Sequence, residues 1–255
     1  MRGIMPHRIL IVDDEESIRY SFSEFLTQEG YVVDVAESFE QAKNFLEENT
    51  YDALFLDILL GQDSGIDILK ASKELNPNCP VIMITGSPGI DTAAESVRLS
   101  AFDYLTKPLV QNEIIRHAQR AVQYKNALDE NERYQKRLRA IFEGVQEGIL
   151  VFNSDLEIID ANYSAMQLLN VDSDILGKKI DELTKESGSE IIWQLKDLLQ
   201  SRVEGEFYKI DFESSPNNKL QLGININPIQ SYSKEGNDLV LVMRDESQPF
   251  TKIEV

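Results

Sequence analysis

Cysteine is almost absent: Cys79 stands alone among 255 residues, so no internal disulfide can form. Histidine is nearly as scarce, with only His7 and His117, which excludes the Cys- and His-rich ligand sets of structural zinc sites. No apolar run approaches the roughly 18 residues of a membrane-spanning helix. The first apolar stretch, Ile9-Leu10-Ile11-Val12, runs into Asp13-Asp14-Glu15-Glu16 and is too short and too acidic for a secretory leader. Together these absences predict a cytosolic chain without a membrane segment. Positive charge is also short, with 25 basic residues against 44 acidic ones and a net charge of −19. Residues 1–124 hold 20 acidic and 10 basic side chains, residues 125–140 hold 3 and 5, and residues 141–255 hold 21 and 10. Two acidic blocks joined by a slightly basic segment repel phosphate backbones, so direct nucleic-acid binding is not expected here. The basic residues Arg133, Lys136, Arg137 and Arg139 read as the solvated side of a helix.

What is present is a regular alternation. Short β-branched runs at Arg8–Val12, Tyr31–Val35, Ala53–Asp57, Val81–Thr85 and Phe102–Thr106 are nearly continuous in hydrophobicity, as in parallel strands buried on both faces. Amphipathic stretches separate them: Ile18, Phe22, Phe25 and Leu26 share one helical face, as do Ala42, Phe45 and Leu46, and more loosely Ile66, Leu69 and Leu75. Ser38 is placed to cap the second helix and Gly30 to end the first. Five β-α units predict an α/β fold with a five-stranded, doubly wound parallel sheet of flavodoxin-like type. Such sheets bind ligands beyond the carboxyl ends of their strands.

Polar residues cluster at those ends. Asp13 and Asp14 follow the first strand, Asp57 ends the third, Thr85 the fourth, and Lys107 follows the fifth. Any one of them has an ordinary reading as a cap or a strand end. Coincidence at so many strand ends is improbable. Three carboxylates in one crevice repel one another, and Mg²⁺ (or Mn²⁺), a hard cation held by a few carboxylate oxygens and waters, relieves that repulsion. A cation, a lysine and a hydroxyl beside a carboxylate form a site for phosphoryl transfer, which needs little beyond positioning and charge neutralisation. The alternative for this fold, a flavodoxin-like small-cofactor binder, lacks support because no glycine-rich phosphate loop follows the first strand.

The segments ILIVDDEES, ALFLDILLGQDSGIDIL, VIMITG and AFDYLTKPL resemble the receiver domains of bacterial two-component response regulators. The resemblance covers residues 7–124. It implies Asp57 as phosphoacceptor, with Asp13, Asp14, Asp57 and the carbonyl of Leu59 as metal ligands. It implies Thr85 and Lys107 as the phosphate-contacting pair, Tyr104 as an aromatic switch, and a cis peptide at Lys107-Pro108. The partner implied is a cognate histidine kinase. Fast receivers carry a polar side chain two places after the phosphoacceptor. Leu59 departs from that pattern and implies slow self-dephosphorylation.

Residues 111–143 contain no proline and no glycine. They predict a receiver helix prolonged into a signalling helix of about 50 Å, at roughly 1.5 Å per residue. The heptad-like series Ile114, Ala118, Ala121, Leu128, Leu138, Phe142 and Val145 predicts a parallel homodimer, interrupted at Lys125, Asn131 and Gln135. A helix docked on its own domains is the alternative. His117 lacks the surroundings of a kinase phospho-accepting histidine and reads as packed or solvated.

From residue 138 to 246, alternating runs at Gly148–Phe152, Leu156–Asp160, Glu206–Phe212, Lys219–Asn227 and Leu239–Arg244 predict an antiparallel α+β domain. Helical pieces are expected at Asn162–Leu169, Asp172–Leu176 and Ser189–Arg202. The stretches AIFEGVQEGILVFNSDLEIIDANYSAMQLLN, DILGKKIDEL and DLVLVMRDES resemble a PAS domain, a module that senses ligands, binds cofactors or dimerises. With no cysteine after residue 79 and no histidine after 117, neither a cysteine-linked flavin nor a histidine-ligated haem is expected. Trp193, Phe207, Tyr208 and Phe212 could line a pocket or simply pack the core. Residues 247–255 read as a tail toward an output domain outside this chain. Three outputs compete: transcription regulation, a hybrid histidine kinase, and a stand-alone partner-binding regulator.

Overall fold

The computed structural model describes residues 6–61, 63–86, 101–169, 171, 175–180, 182, 197, 199, 207–215, 218–230 and 237–247. All but Asp197 and Leu199 of the expected helix at Ser189–Arg202, most of that at Asp172–Leu176, Trp193, and the side chains of Phe207, Tyr208 and Phe212 lie outside the described residues. The chain divides into two units, Met1–Tyr134 and Gln135–Val255.

In the first unit β1 (Arg8–Val12), β2 (Val32–Ala36), β3 (Ala53–Asp57), β6 (Val81–Thr85) and β7 (Asp103–Thr106) form a parallel sheet in the order β2-β1-β3-β6-β7. A two-residue antiparallel pair, β4 (Leu59–Leu60) with β5 (Asp63–Ser64), follows β3. The helices are α1 (Glu16–Gln28), α2 (Phe39–Glu48), α3 (Gly65–Leu75) and the long α4 (Gln111–Gly144). Strand side chains alternate between two cores, as the period of two requires. Leu10, Val12, Leu54, Leu56 and Met83 pack with α2 and α3, through Ala42, Leu46 and Leu69. Ile9, Ile11, Phe55, Ile82 and Ile84 pack with α1 and the first turns of α4, through Phe22, Leu26, Ile114, Ala118 and Ala121. The continuous hydrophobicity of the strands is explained by burial on both faces.

Local caps follow the sequence. The Ser38 hydroxyl accepts from Gln41 N–H at the start of α2. Gly30, at φ +89°, provides the left-handed turn after α1 that a side chain would strain. Ser64 caps α3 by accepting from Ile66 N–H at 3.2 Å.

In the second unit five strands form an antiparallel sheet in the order β10-β11-β12-β8-β9. They are β8 (Gly148–Phe152), β9 (Ile158–Ala161), β10 (Phe207–Ser215), β11 (Asn218–Gln230) and β12 (Asn237–Asp245), with a short helix α5 (Tyr163–Leu169). Its core holds Leu150, Phe152, Ile158, Leu222, Ile224, Leu241 and Met243. Asn162 is fully buried and uses its whole amide. Its Oδ1 accepts from Ile149 and Ala165, and its Nδ2 donates to the carbonyls of Phe142 and Glu147. One side chain therefore caps α5 and ties the last turn of α4 to β8. Among the described residues no helix is long and apolar enough to cross a membrane.

Helix α4 departs from the expected dimer stripe. Ile114, Ala118 and Ala121 are buried in the first unit's own core, because β7 leads straight back over the sheet. Lys125, read as an interruption, is also buried, and its ammonium pairs with Asp129 at 2.7 Å. His117 is packed, with Nδ1 2.7 Å from Asp103 Oδ2, and Arg120 shares that oxygen at 3.0 Å.

Candidate functional site

The site lies at the carboxyl edge of the parallel sheet. The strands deliver its residues: Asp13 and Asp14 at the end of β1, Asp57 at the end of β3, Thr85 at the end of β6 and Lys107 just after β7. Asp13, Asp57 and Thr85 are buried, whereas Asp14 is exposed. Asp13, Asp14 and Asp57 each present a carboxylate oxygen within 4.8 Å of the other two.

Each carboxylate is oriented by the backbone. Asp13 Oδ1 accepts from Glu15 N–H at 2.9 Å, Asp14 Oδ2 from Gly61 N–H at 3.1 Å, and Asp57 Oδ1 from Leu59 N–H at 3.1 Å. Lys107 Nζ donates to Asp57 Oδ2 at 2.7 Å and to Glu15 Oε1 at 2.8 Å. It also lies 3.1 Å from Asp13 Oδ2, near enough for charge attraction without a hydrogen bond. That Asp13 oxygen is buried and receives no hydrogen bond among the described residues. Lys107 N–H donates to Thr85 O at 2.7 Å, which locks the two strand ends together, and the Lys107-Pro108 peptide is cis.

The electrostatics follow from burial. Desolvation pushes the Asp13 carboxyl up to about 6, against the opposing pull of the Glu15 N–H and Lys107. For Lys107 desolvation acts downward, but hydrogen bonds to Asp57 and Glu15 and the nearby Asp13 carboxylate outweigh it and the ammonium is raised overall. An anionic crevice with an unsatisfied carboxylate oxygen fits a hard divalent cation, which would take Asp13, Asp14 and Asp57 as oxygen ligands.

Asp13, Asp14, Asp57, Leu59, Thr85, Tyr104 and Lys107, the receiver residues singled out from the sequence, stand at or beside this edge. Leu59 places its N–H on Asp57 and its side chain in solvent, at 65% exposure. Tyr104 on β7 is half-buried against the α2–α3 core, and its hydroxyl is buried with no hydrogen-bond partner among the described residues. Three contributors were not anticipated. Glu15 is a ligand of Lys107. Arg19 donates to the carbonyls of Asp13 and Asp14, both at 2.9 Å, and steadies the acidic loop from α1. Gly65 opens α3 so close to β3 that a Cβ there would lie 2.0 Å from Asp57 O. The acidic run and the one-turn spacing of Arg19 were visible in the sequence. The close approach at Gly65 carried no local signal.

Two family models match this chain: a response regulator receiver domain over residues 9–119 and a PAS domain over residues 146–248. The alginate biosynthesis transcriptional regulatory protein AlgB of Pseudomonas putida is 42% identical over 101 residues, which cover 40% of this chain and 22% of that protein. A putative NtrX-like response regulator of Rickettsia felis is 37% identical over 125 residues, covering 48% of this chain and 26% of that protein. The crystal structure of NtrX from Brucella abortus aligns over 52% of this chain and 31% of its own length, at 32% identity and a TM-score of 0.49. The matched region thus spans about a quarter of the length of these curated relatives.

Proposed function

From a chain that joins a response regulator receiver domain to a PAS domain, we propose a phosphorylation-controlled regulator in which Asp57 accepts the phosphoryl group of a partner histidine kinase. The observation that carries this reading is Lys107 Nζ at 2.7 Å from Asp57 Oδ2, beside the clustered carboxylates of Asp13 and Asp14.

In the transfer, an Asp57 carboxylate oxygen attacks phosphorus. A new P–O bond forms as the bond from phosphorus to the donor's imidazole nitrogen breaks, and its electron pair leaves on that nitrogen. Lys107 holds the carboxylate and offers its charge to the phosphoryl oxygens that arrive. Thr85, tied to Lys107 through its carbonyl, supplies a hydroxyl at the same edge, and Tyr104 lies on the neighbouring strand as the switch residue. Mg²⁺ or Mn²⁺ held by Asp13, Asp14, Asp57 and the Leu59 carbonyl would neutralise carboxylate and phosphoryl charge.

The output proposed is transcription regulation, relayed through α4 to the PAS domain. The description of AlgB as a transcriptional regulatory protein supports it. The chain acts as a homodimer through α4 and the PAS domain.

Acetyl phosphate treatment followed by intact-mass measurement tests the site. Wild type is expected to gain one phosphoryl group only with Mg²⁺ or Mn²⁺, and Asp57→Asn none. Equal incorporation in the variant overturns the assignment.

A further inference from the structure

Glu15 holds a carboxylate at the crevice that the transfer chemistry leaves unused. It stands immediately before α1, where a side chain ordinarily accepts from the first N–H groups of the helix. That of Glu15 does not. Its backbone is committed: the N–H donates to Asp13 Oδ1 at 2.9 Å, and the carbonyl accepts from the N–H groups of Ile18 and Arg19, both at 3.1 Å. The side chain therefore reaches out from a fixed point, and its Oε1 accepts from Lys107 Nζ at 2.8 Å. Glu15 stands outside the cluster of Asp13, Asp14 and Asp57, so a cation held by those three leaves it on the lysine. Its side chain is 57% exposed and that of Lys107 17%, which puts the carboxylate on the solvent side of the ammonium.

An ammonium has three N–H groups. In Lys107 one goes to Asp57 and one to Glu15, and Asp13 Oδ2 lies 3.1 Å away on a third side. A phosphoryl oxygen arriving at Asp57 needs an N–H from Lys107. The one held by exposed Glu15 can be given up without stranding a buried carboxylate. An incoming donor thus competes with Glu15 for the same proton, and does so against the Glu15 charge.

We propose that Glu15 is a specificity-determining residue that sets the crevice against acyl phosphates and in favour of phosphoramidates, donors whose phosphorus is bonded to nitrogen. This rests on the reading of Asp57 as phosphoacceptor. The selection is by charge. Acetyl phosphate reaches the crevice as a dianion. Phosphoramidate at neutral pH is a zwitterion with a protonated nitrogen and one net negative charge, so an anionic mouth opposes it less. The reaction at Asp57 is otherwise alike. A carboxylate oxygen attacks phosphorus, and the new P–O bond forms as the bond to the leaving atom breaks. Acetate leaves with the electron pair of its P–O bond, and neutral ammonia with that of the P–N bond. A phosphohistidine is itself a phosphoramidate, so the carboxylate that slows a diffusing acyl phosphate suits transfer from a histidine.

Intact-mass time courses on the full chain, with Mg²⁺ and each small donor at equal concentration, test this. Glu15→Gln keeps the size and the accepting oxygen but removes the charge. It is expected to raise the rate with acetyl phosphate about three- to tenfold and the rate with phosphoramidate by much less, so that their ratio shifts at least about threefold. Glu16→Gln removes an equal charge one residue on, from an exposed carboxylate with no hydrogen bond or ion pair among the described residues, and is expected to leave the ratio unchanged. An unchanged ratio in Glu15→Gln, or an equal shift in both variants, would overturn the proposal and leave Asp57 as acceptor. A Glu15→Gln variant slowed equally with both donors would mean a displaced lysine rather than a removed charge, and would also overturn it. Phosphorylation that persists in Asp57→Asn would overturn the acceptor reading and the proposal with it.

Discussion

At the scale of single residues, the acidic crevice trades stability for chemistry. Asp13 is buried with one oxygen lacking a hydrogen bond among the described residues, and burial raises its carboxyl to about 6. A carboxyl whose folded value exceeds its unfolded value favours folding while protonated. That contribution fades as pH rises from about 4 through about 6. In metal-free buffer at pH 7.5, Asp13→Asn should therefore raise unfolding free energy by about 1–3 kcal/mol, read from urea midpoints. The fall of wild-type stability between pH 4 and 6 should flatten in the variant. Leu59 acts at the same scale. Its exposed side chain stands two residues beyond Asp57, where it can shield a phosphoryl group but cannot orient water. Leu59→Asn should shorten the phosphate lifetime several-fold in a dephosphorylation time course, and an unchanged lifetime would dismiss the account.

At the scale of elements, the junction of β3 with α3 leaves no room for a side chain at its first helical residue. Ile58 O accepts from Gly65 N–H at 2.9 Å, and the helix starts against the Asp57 carbonyl. A methyl group at residue 65 would have to displace backbone, since the neighbour is a carbonyl and not the end of a flexible side chain. Gly65→Ala should destabilise the unit by at least about 2 kcal/mol and slow phosphorylation of Asp57, measured by thermal unfolding and by intact mass. The spacing of polar residues revealed which strand ends meet. It gave no hint of Gly65, because close approach depends on how α3 crosses β3. Asn162 was legible as the start of a helical piece, but its service as cap and tether depends on the carbonyls that the fold brings to it.

At the scale of the whole molecule, two units have separate hydrophobic cores. Two unfolding transitions are expected by calorimetry. A ligand that binds one native unit stabilises only that unit. Mg²⁺ should raise the transition of the first unit by a few degrees and leave that of the second in place. Loss of the shift in Asp13→Asn with Asp14→Asn would place the cation at the acidic edge. A shift of both transitions would contradict this.

The parallel sheet and the chain order of its five strands, the antiparallel second domain and the acidic edge were legible in the sequence, whereas the short pair β4–β5 and the spatial order of the strands were not. Continuous β-branched runs report burial on both faces, alternation reports burial on one, and a chain of β-α units must bring its strand ends to one edge. Helix α4 was legible as a helix, since neither proline nor glycine interrupts it from residue 111 to 143. Which of its faces is free was not. Two apolar series are interleaved on one cylinder, and periodicity alone cannot say which one the chain's own sheet will cover. Packing decided it. The sheet took Ile114, Ala118 and Ala121, and left Tyr134, Leu138 and Ile141 in solvent. Tertiary structure also chose the partners of Lys107, because Glu15 and Asp57 lie 92 and 50 residues away from it and meet only when the strands align.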